Sequence, residues 1–326
     1  MWDWTQTHPA INYPFGRGQG QSAADLPRLL QWPGEKIHLA PSFEPLLSSA
    51  IDIHRHLKTL GHLGPLATSL QAVAFGRGVK IREYSRDPEV LVSELKSDPC
   101  LLYISNPNPW DSFDYPDEVL RSIVDEARQA GCQILLDDSQ AFFSFTETGP
   151  GKLDRNHGPI SQVEFLGSLK PVLRPHGPDL CYWLSETPSK TGLELSDPAS
   201  ADLACTLQGL AVRTGAATQE FKKRMLEVHY SLRRLTEFLM PLQLKGKVQI
   251  PYFPQTGFFL SVDWAPALKS RNWDLATGIR WLESQNEQKV ISGDLYGRPT
   301  HFCVCFAQPL SGVEKHGPKL AQALDL

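Results

Sequence analysis

Val163-Glu-Phe-Leu-Gly-Ser168-Leu-Lys170-Pro171 decides the fold. It reads as a short apolar strand that ends in a serine, with a lysine just beyond. It follows a second strand end of the same kind, Ile134-Leu-Leu-Asp137-Asp138. Working outward, Cys100-Leu-Leu-Tyr-Ile-Ser105 is another buried strand, and Asn106-Pro-Asn-Pro109 is the loop after it. Residues 116–130 have the pattern of an amphipathic helix, with acidic residues in the first turn and Gly131 at its C-terminal end. Strand, loop, helix and strand recur with continuous apolar strands. That order predicts an α/β fold, a mainly parallel sheet covered by helices on both faces. Ligands bind such sheets at the carboxyl ends of strands. Asn106 to Pro109, Asp137 and Lys170 all fall just past such ends, which makes them candidate site residues without reference to any family.

The flanks complete the pattern. Residues 1–35 read as an irregular arm. Its Gly16-Arg-Gly-Gln-Gly20 has neither a preceding strand nor a following Lys-Ser/Thr, so it is not read as a phosphate loop. Leu46, Leu47, Ala50, Ile51, His54 and Leu57 have helical spacing over 43–60, with Ser42 as N-cap and Pro45 in the first turn. A helix-like run at 66–75, a strand at 79–84 and a short helix at 88–96 follow. A long helical stretch covers 201–239. Beyond it come strands at 257–263, 290–291 and 301–306, a helix at 275–283 and a terminal helix from about 313. The expected division is a large α/β domain at 36–235, with 1–35 and 236–326 forming an arm and a smaller α+β domain.

Composition narrows the function classes. The 326 residues are 41% hydrophobic and 21% charged, with a net charge of -4. This balance offers no electrostatic footprint for nucleic acid or an anionic membrane surface. No apolar run approaches the ~18 residues of a membrane span. The N-terminus, Met1-Trp-Asp-Trp-Thr, lacks the basic and apolar regions of a signal peptide. Six scattered cysteines without the paired spacing of a zinc site read as buried thiols of a reducing, cytoplasmic setting.

With its elements in this order, residues 36–310 resemble the fold-type I enzymes that use pyridoxal 5'-phosphate (PLP). The likeness is to class I/II aminotransferases of the histidinol-phosphate aminotransferase and threonine-phosphate decarboxylase type. The carrying segments are Ser105-Asn-Pro-Asn108-Pro109, Ile134 to Asp137, Gly167-Ser168-Leu-Lys170, Gly177 to Tyr182, Gly257-Phe-Phe-Leu260, and Ser292-Gly293 with Cys303 to Ala307. The resemblance implies a PLP-dependent transferase fold with a seven-stranded type of sheet, a homodimer, and a small-molecule amino substrate. It implies Lys170 as the Schiff-base lysine and Asp137 as the carboxylate that keeps the pyridine nitrogen protonated. Asn108 and Gln140 fall where the ring oxygen is contacted. Ser168, with Arg174 or His176 as the cation, would hold the phosphate, helped by backbone N–H groups at the start of the 43–60 helix.

Other positions depart from that pattern. Aligned without gaps, Pro171 falls on the lysine position and Asp179 on the phosphate-binding arginine. Ala67 falls on the aromatic that stacks on the ring, Gln140 on a tyrosine, and Cys303 on the arginine that holds a substrate carboxylate. Pro41, in the expected phosphate cup, has no N–H to give. Asp137 also fits a turn-capping role and Asn108 a turn-forming one. Two main functional readings therefore stand, beside a third in which a different enzyme uses the same pocket with His176, Asp137 and Asp138 as acid or base groups. One is an aminotransferase-like enzyme working through Lys170. The other is a PLP-less pseudoenzyme of the same fold, serving as a binding or partner subunit.

Overall fold

The computed structural model describes residues 37–40, 42–140, 163–168, 181–184, 216–286 and 289–325. Lys170, Pro171, Arg174, His176 and Asp179 lie outside them, as does the N-terminal arm.

A seven-stranded sheet runs in the order β1-β7-β6-β5-β4-β2-β3. Its strands are β1 (Ile37–Ala40), β2 (Thr59–Leu63), β3 (Lys80–Tyr84), β4 (Leu101–Ser105), β5 (Gln133–Asp137), β6 (Val163–Ser168) and β7 (Cys181–Leu184). From β3 through β6 every pairing is parallel, and β7 alone is antiparallel to its neighbours β6 and β1. The α/β reading of the sequence is borne out. Strands β2 and β4 are buried along their whole length because helices cover both faces. Leu102, Ile104, Ile134 and Leu136 face one core, packed by α3 (Pro88–Ser97) and α4 (Asp117–Gln129). Leu101, Tyr103, Leu135 and Leu166 face the other, packed by α1 (Phe43–Ile53) and α2 (Thr68–Gly76).

Local sequence explains the helices. In α3, Pro88 sits at the first turn and the Asp87 carboxylate accepts from the N–H groups of Glu89 and Val90. In α4, Leu120, Ile123, Val124 and Ala127 make one buried stripe.

The helix expected over 43–60 ends at Ile53, and β2 takes up its last residues. Helical spacing misled there because a strand buried on both faces shows no alternation. Strand β1 and a short helix, α6 (Ala265–Arg271), had no counterpart in the sequence reading.

A second, three-stranded antiparallel sheet has the order β8-β10-β9, from Phe259–Asp263, His301–Cys305 and Ile291–Ser292. Its core is shared with α5 (Ala216–Leu244), α7 (Leu275–Asn286) and α8 (Leu310–Leu324). No described helix is long and apolar enough to cross a membrane.

Candidate functional site

The carboxyl ends of β4, β5 and β6 form one rim, because Ser105 pairs with Asp137 and Asp137 with Leu166. The rim brings together Asn108, Asp137, Gln140 and Ser168, as the strand order required. The same register sets Tyr103, Ser105 and Asp137 on one face of the sheet.

Asp137 is buried. Its Oδ2 accepts from the Tyr103 hydroxyl at 2.5 Å and from the Ser105 hydroxyl at 3.1 Å. Its Oδ1 accepts from the backbone N–H of Ser139 at 3.0 Å and from the Ser139 hydroxyl at 2.6 Å. A carboxylate has roughly four acceptor positions, and the chain supplies a donor to each. Burial nevertheless holds the Asp137 carboxyl above its ordinary pKa, and the hydrogen bonds from Ser139, Tyr103 and Ser105 only partly offset that. The Ser139 oxygen also receives the backbone N–H of Ser168 at 2.9 Å, tying β5 to β6.

Asp138 turns the other way and accepts from the Tyr182 hydroxyl at 2.5 Å. Tyr182 lies flat against Gly167. A Cβ at Gly167 would fall 2.0 Å from the Tyr182 ring, so only glycine fits there.

Asn108 has its amide committed at both ends. Its Nδ2 donates to the Pro65 carbonyl at 3.0 Å, and its Oδ1 accepts the Trp110 N–H at 3.0 Å. The turn-forming role is thus visible directly. Gln140 is buried, and its Oε1 accepts no hydrogen bond.

The first turn of α1, the expected phosphate cup, carries Glu44. Its carboxylate remains below the ordinary pKa. Partial burial opposes this, but hydrogen bonds from the Ser42 side chain, its own backbone and the Ser69 side chain outweigh it. An anion from the chain itself therefore stands at the positive end of the helix. Ala67 is the N-cap of α2, and no side chain there can stack on a ring.

The second sheet closes over the Asn-Pro loop. The Ser112 hydroxyl donates to the Phe259 carbonyl at 2.9 Å, and Trp110 stacks on Tyr296 with ring centres 4.9 Å apart. Cys303 is buried, with its thiol on the Trp110 carbonyl at 2.8 Å and beside the Tyr296 hydroxyl at 2.9 Å. Burial pushes that thiol up to about 12, so it stays neutral. Two nearby cations among the described residues are matched. Arg298 pairs with both oxygens of Glu83, and Arg86 pairs with Asp111 at 2.7 and 3.2 Å.

No family model matches the sequence, and no curated protein matches it. Solved structures do match. The fold is that of the PLP-dependent transferases. The PLP-bound C-S lyase of Staphylococcus hominis superposes with a TM-score of 0.74 at 10% identity, over 88% of this chain and 78% of the other. Cystalysin of Treponema denticola gives 0.73 at 11% identity, over 94% and 84%. LysN, the α-aminoadipate aminotransferase of Thermus thermophilus, gives 0.74 at 15%, over 95% and 83%. At such identities the likeness is one of fold.

Tested against PLP, the described residues do not fit. The carboxylate that would meet a pyridine N–H already has its acceptor positions filled. The asparagine that would meet the ring oxygen is bound to the backbone at both ends. The helix terminus that would meet the phosphate carries Glu44. Sequence reasoning identified Asp137 and Asn108 but missed Tyr103, Ser139 and Glu44. Two hydroxyls at alternate positions of an apolar strand, Tyr103 and Ser105, were the available signal.

Proposed function

We propose that this protein keeps the aminotransferase fold without its cofactor chemistry and acts as a binding or partner subunit, itself a homodimer. The observation that carries this reading is the Asp137 carboxylate, which receives four hydrogen bonds from Tyr103, Ser105 and Ser139. A ring nitrogen would have to displace one of them. Glu44 at the start of α1 and Cys303 beneath the Asn-Pro loop support it further. Both occupy places where the resemblance calls for groups that bind anions; Glu44 is instead hydrogen-bonded at the helix start to Ser42 and Ser69, and Cys303 is packed against Trp110 and Tyr296.

A second reading has one specific observation in its favour. Gln140 is buried at the rim with its side-chain oxygen unbonded, as a group awaiting a ligand would be. On that reading the protein is a PLP-dependent aminotransferase-like enzyme for a small amino substrate. Lys170 would anchor the cofactor, Asp137 would face the ring nitrogen, and Ser168, Arg174 and His176 would hold the phosphate.

The two separate in one experiment. The protein is purified in the presence of PLP, its visible absorbance recorded, and the sample reduced with borohydride and mapped by mass spectrometry. The proposal expects a colourless protein with no modified lysine. A yellow protein labelled on Lys170, with the label lost in Lys170→Ala, overturns it. Sedimentation of the same sample tests the homodimer.

A further inference from the structure

Cys100 and Cys132 stand side by side at the opposite end of the sheet from the candidate site. Each immediately precedes its strand. Leu101 and Gln133, the next residues, are register partners of β4 and β5. The Gln133 N–H donates to the Cys100 carbonyl at 3.1 Å, so the pairing extends back to the cysteines. The Cys100 N–H points at Cys132 Sγ at 3.5 Å. Both side chains enter the same core, and both residues are free thiols. Adjacent strands lie about 4.8 Å apart. A disulfide needs Cα atoms roughly 4.4–6.8 Å apart, so the backbone already has the required spacing.

We propose that Cys100 and Cys132 form a reversible dithiol–disulfide pair that staples β4 to β5 under peroxide. Of the five described cysteines, all buried, these two alone are juxtaposed across adjacent strands. Gly61 makes the room. A Cβ there would lie 2.7 Å from Cys100 Sγ and 2.7 Å from the Tyr84 ring, so a side chain would push both aside.

The pair also has the electronic arrangement such chemistry needs. The Cys100 thiol hydrogen-bonds to Cys132, which lowers the pKa of Cys132 and raises that of Cys100. Burial opposes the Cys132 thiolate, as does Asp98, but the hydrogen bond outweighs them. The other facing groups are Tyr84, whose hydroxyl donates to the Asp98 carbonyl at 3.2 Å and contacts Cys100, and Arg82, which pairs with Asp98 at 3.3 Å. Both thiols are buried, and the residues before them in the chain, Pro99 and Gly131, are exposed.

The reaction balances with hydrogen peroxide as the oxidant. The Cys132 thiolate attacks one peroxide oxygen, the O–O bond breaks, and the departing hydroxide takes a proton to become water. Cys132 is then a sulfenic acid. Cys100 sulfur attacks Cys132 sulfur, the S–O bond breaks, the Cys100 proton leaves, and a second water departs. Two thiols lose two electrons, and one peroxide becomes two waters. A small dithiol reverses the bond by exchange.

The test uses the full-length protein. It is exposed to one equivalent of hydrogen peroxide, alkylated, and digested with trypsin, for which Arg121 and Arg128 separate the two cysteines. The expected product is a cross-linked pair of peptides lighter by two hydrogens than their sum, converted by dithiothreitol to two alkylatable thiols. The oxidised protein should also unfold at higher urea than the reduced one, an increase absent from Cys132→Ser. Recovery of both cysteines as alkylated thiols, a sulfinic acid on Cys132, or a disulfide to any other cysteine overturns the proposal. The mapping on unaltered protein decides the matter even where Cys132→Ser fails to fold.

Discussion

Replacing Tyr103 with phenylalanine removes one hydroxyl from the candidate site and almost nothing else. The ring stays in its core and no cavity opens. What is lost is the 2.5 Å hydrogen bond to Asp137 Oδ2, leaving that oxygen with Ser105 alone. Hydrogen bonds to a charged partner are worth about 1.5–3 kcal/mol. At roughly 2 °C per kcal/mol for a chain of this size, the melting temperature should drop by about 3–6 °C. The pH dependence sharpens the test. The folded-state pKa of Asp137 is raised, so the folded chain keeps a proton that the unfolded chain has lost. Stability therefore falls as pH rises from the unfolded value of about 3.9 toward the folded one. Without the Tyr103 hydroxyl the folded pKa climbs further, so the variant's deficit should be greatest at neutral pH and shrink on acidification. Urea unfolding of both proteins from pH 4 to pH 8 measures it. A deficit under about 0.5 kcal/mol at pH 7, or one that is the same at pH 4, refutes the claim that the Tyr103 hydroxyl favours the charged form of Asp137.

Gly167→Ala should cost about 1–3 kcal/mol or more, because the new methyl group meets the buried Tyr182 ring; a urea midpoint equal to that of the parent would contradict the close approach. Glu44→Gln should lower stability by about 0.3–1 kcal/mol through loss of a negative charge at the start of α1. The Glu44 pKa is lowered in the folded state, so its contribution is present above the unfolded value and disappears as pH falls through the folded one; equal melting of parent and variant at pH 7 would argue against it. His62 is held neutral, its pKa lowered by burial, with its Nδ1 at 2.7 Å from the Gly64 carbonyl. The unfolded chain then binds the proton more readily, so stability should fall as pH drops through about 6.5, and His62→Gln should flatten that slope in urea titrations.

The large sheet was legible because its central strands are apolar runs closed by chemistry-bearing residues. Asp137 and Ser168 mark where β5 and β6 stop, and the helix between β4 and β5 carries an unambiguous apolar stripe. Strand β2 was hidden for the opposite reason. It is only five residues long, contains Gly61 and His62, and continues the helical spacing of His54 and Leu57. The sequence marked candidate residues at the strand ends but not the partners they meet there. Tyr103 reads as one more apolar strand residue, and its bond to Asp137 depends on a register that only the folded sheet sets. Glu44 was passed over because a carboxylate in a helix's first turn is ordinary. It becomes informative only because the α1 terminus is where this fold would receive a phosphate.

Among the described residues, the electrostatics of the rim support the proposed reading of a site without the cofactor. Anions in this region stand where a cofactor would need cations or free acceptors, and the nearby guanidinium groups of Arg86 and Arg298 are already matched to Asp111 and Glu83. A phosphate approaching α1 must displace Glu44, and a protonated ring approaching Asp137 must strip a hydroxyl or N–H from it. Each exchange trades an intramolecular partner, held without translational cost, for one that pays several kcal/mol of association entropy. Restoring a single cation, as in Cys303→Arg, would therefore not rebuild an anion site. It would place a charge in a fully buried position whose neighbouring carboxylate, Asp111, is already paired with Arg86, at the expense of the thiol contacts that seat the second sheet on the Asn-Pro loop.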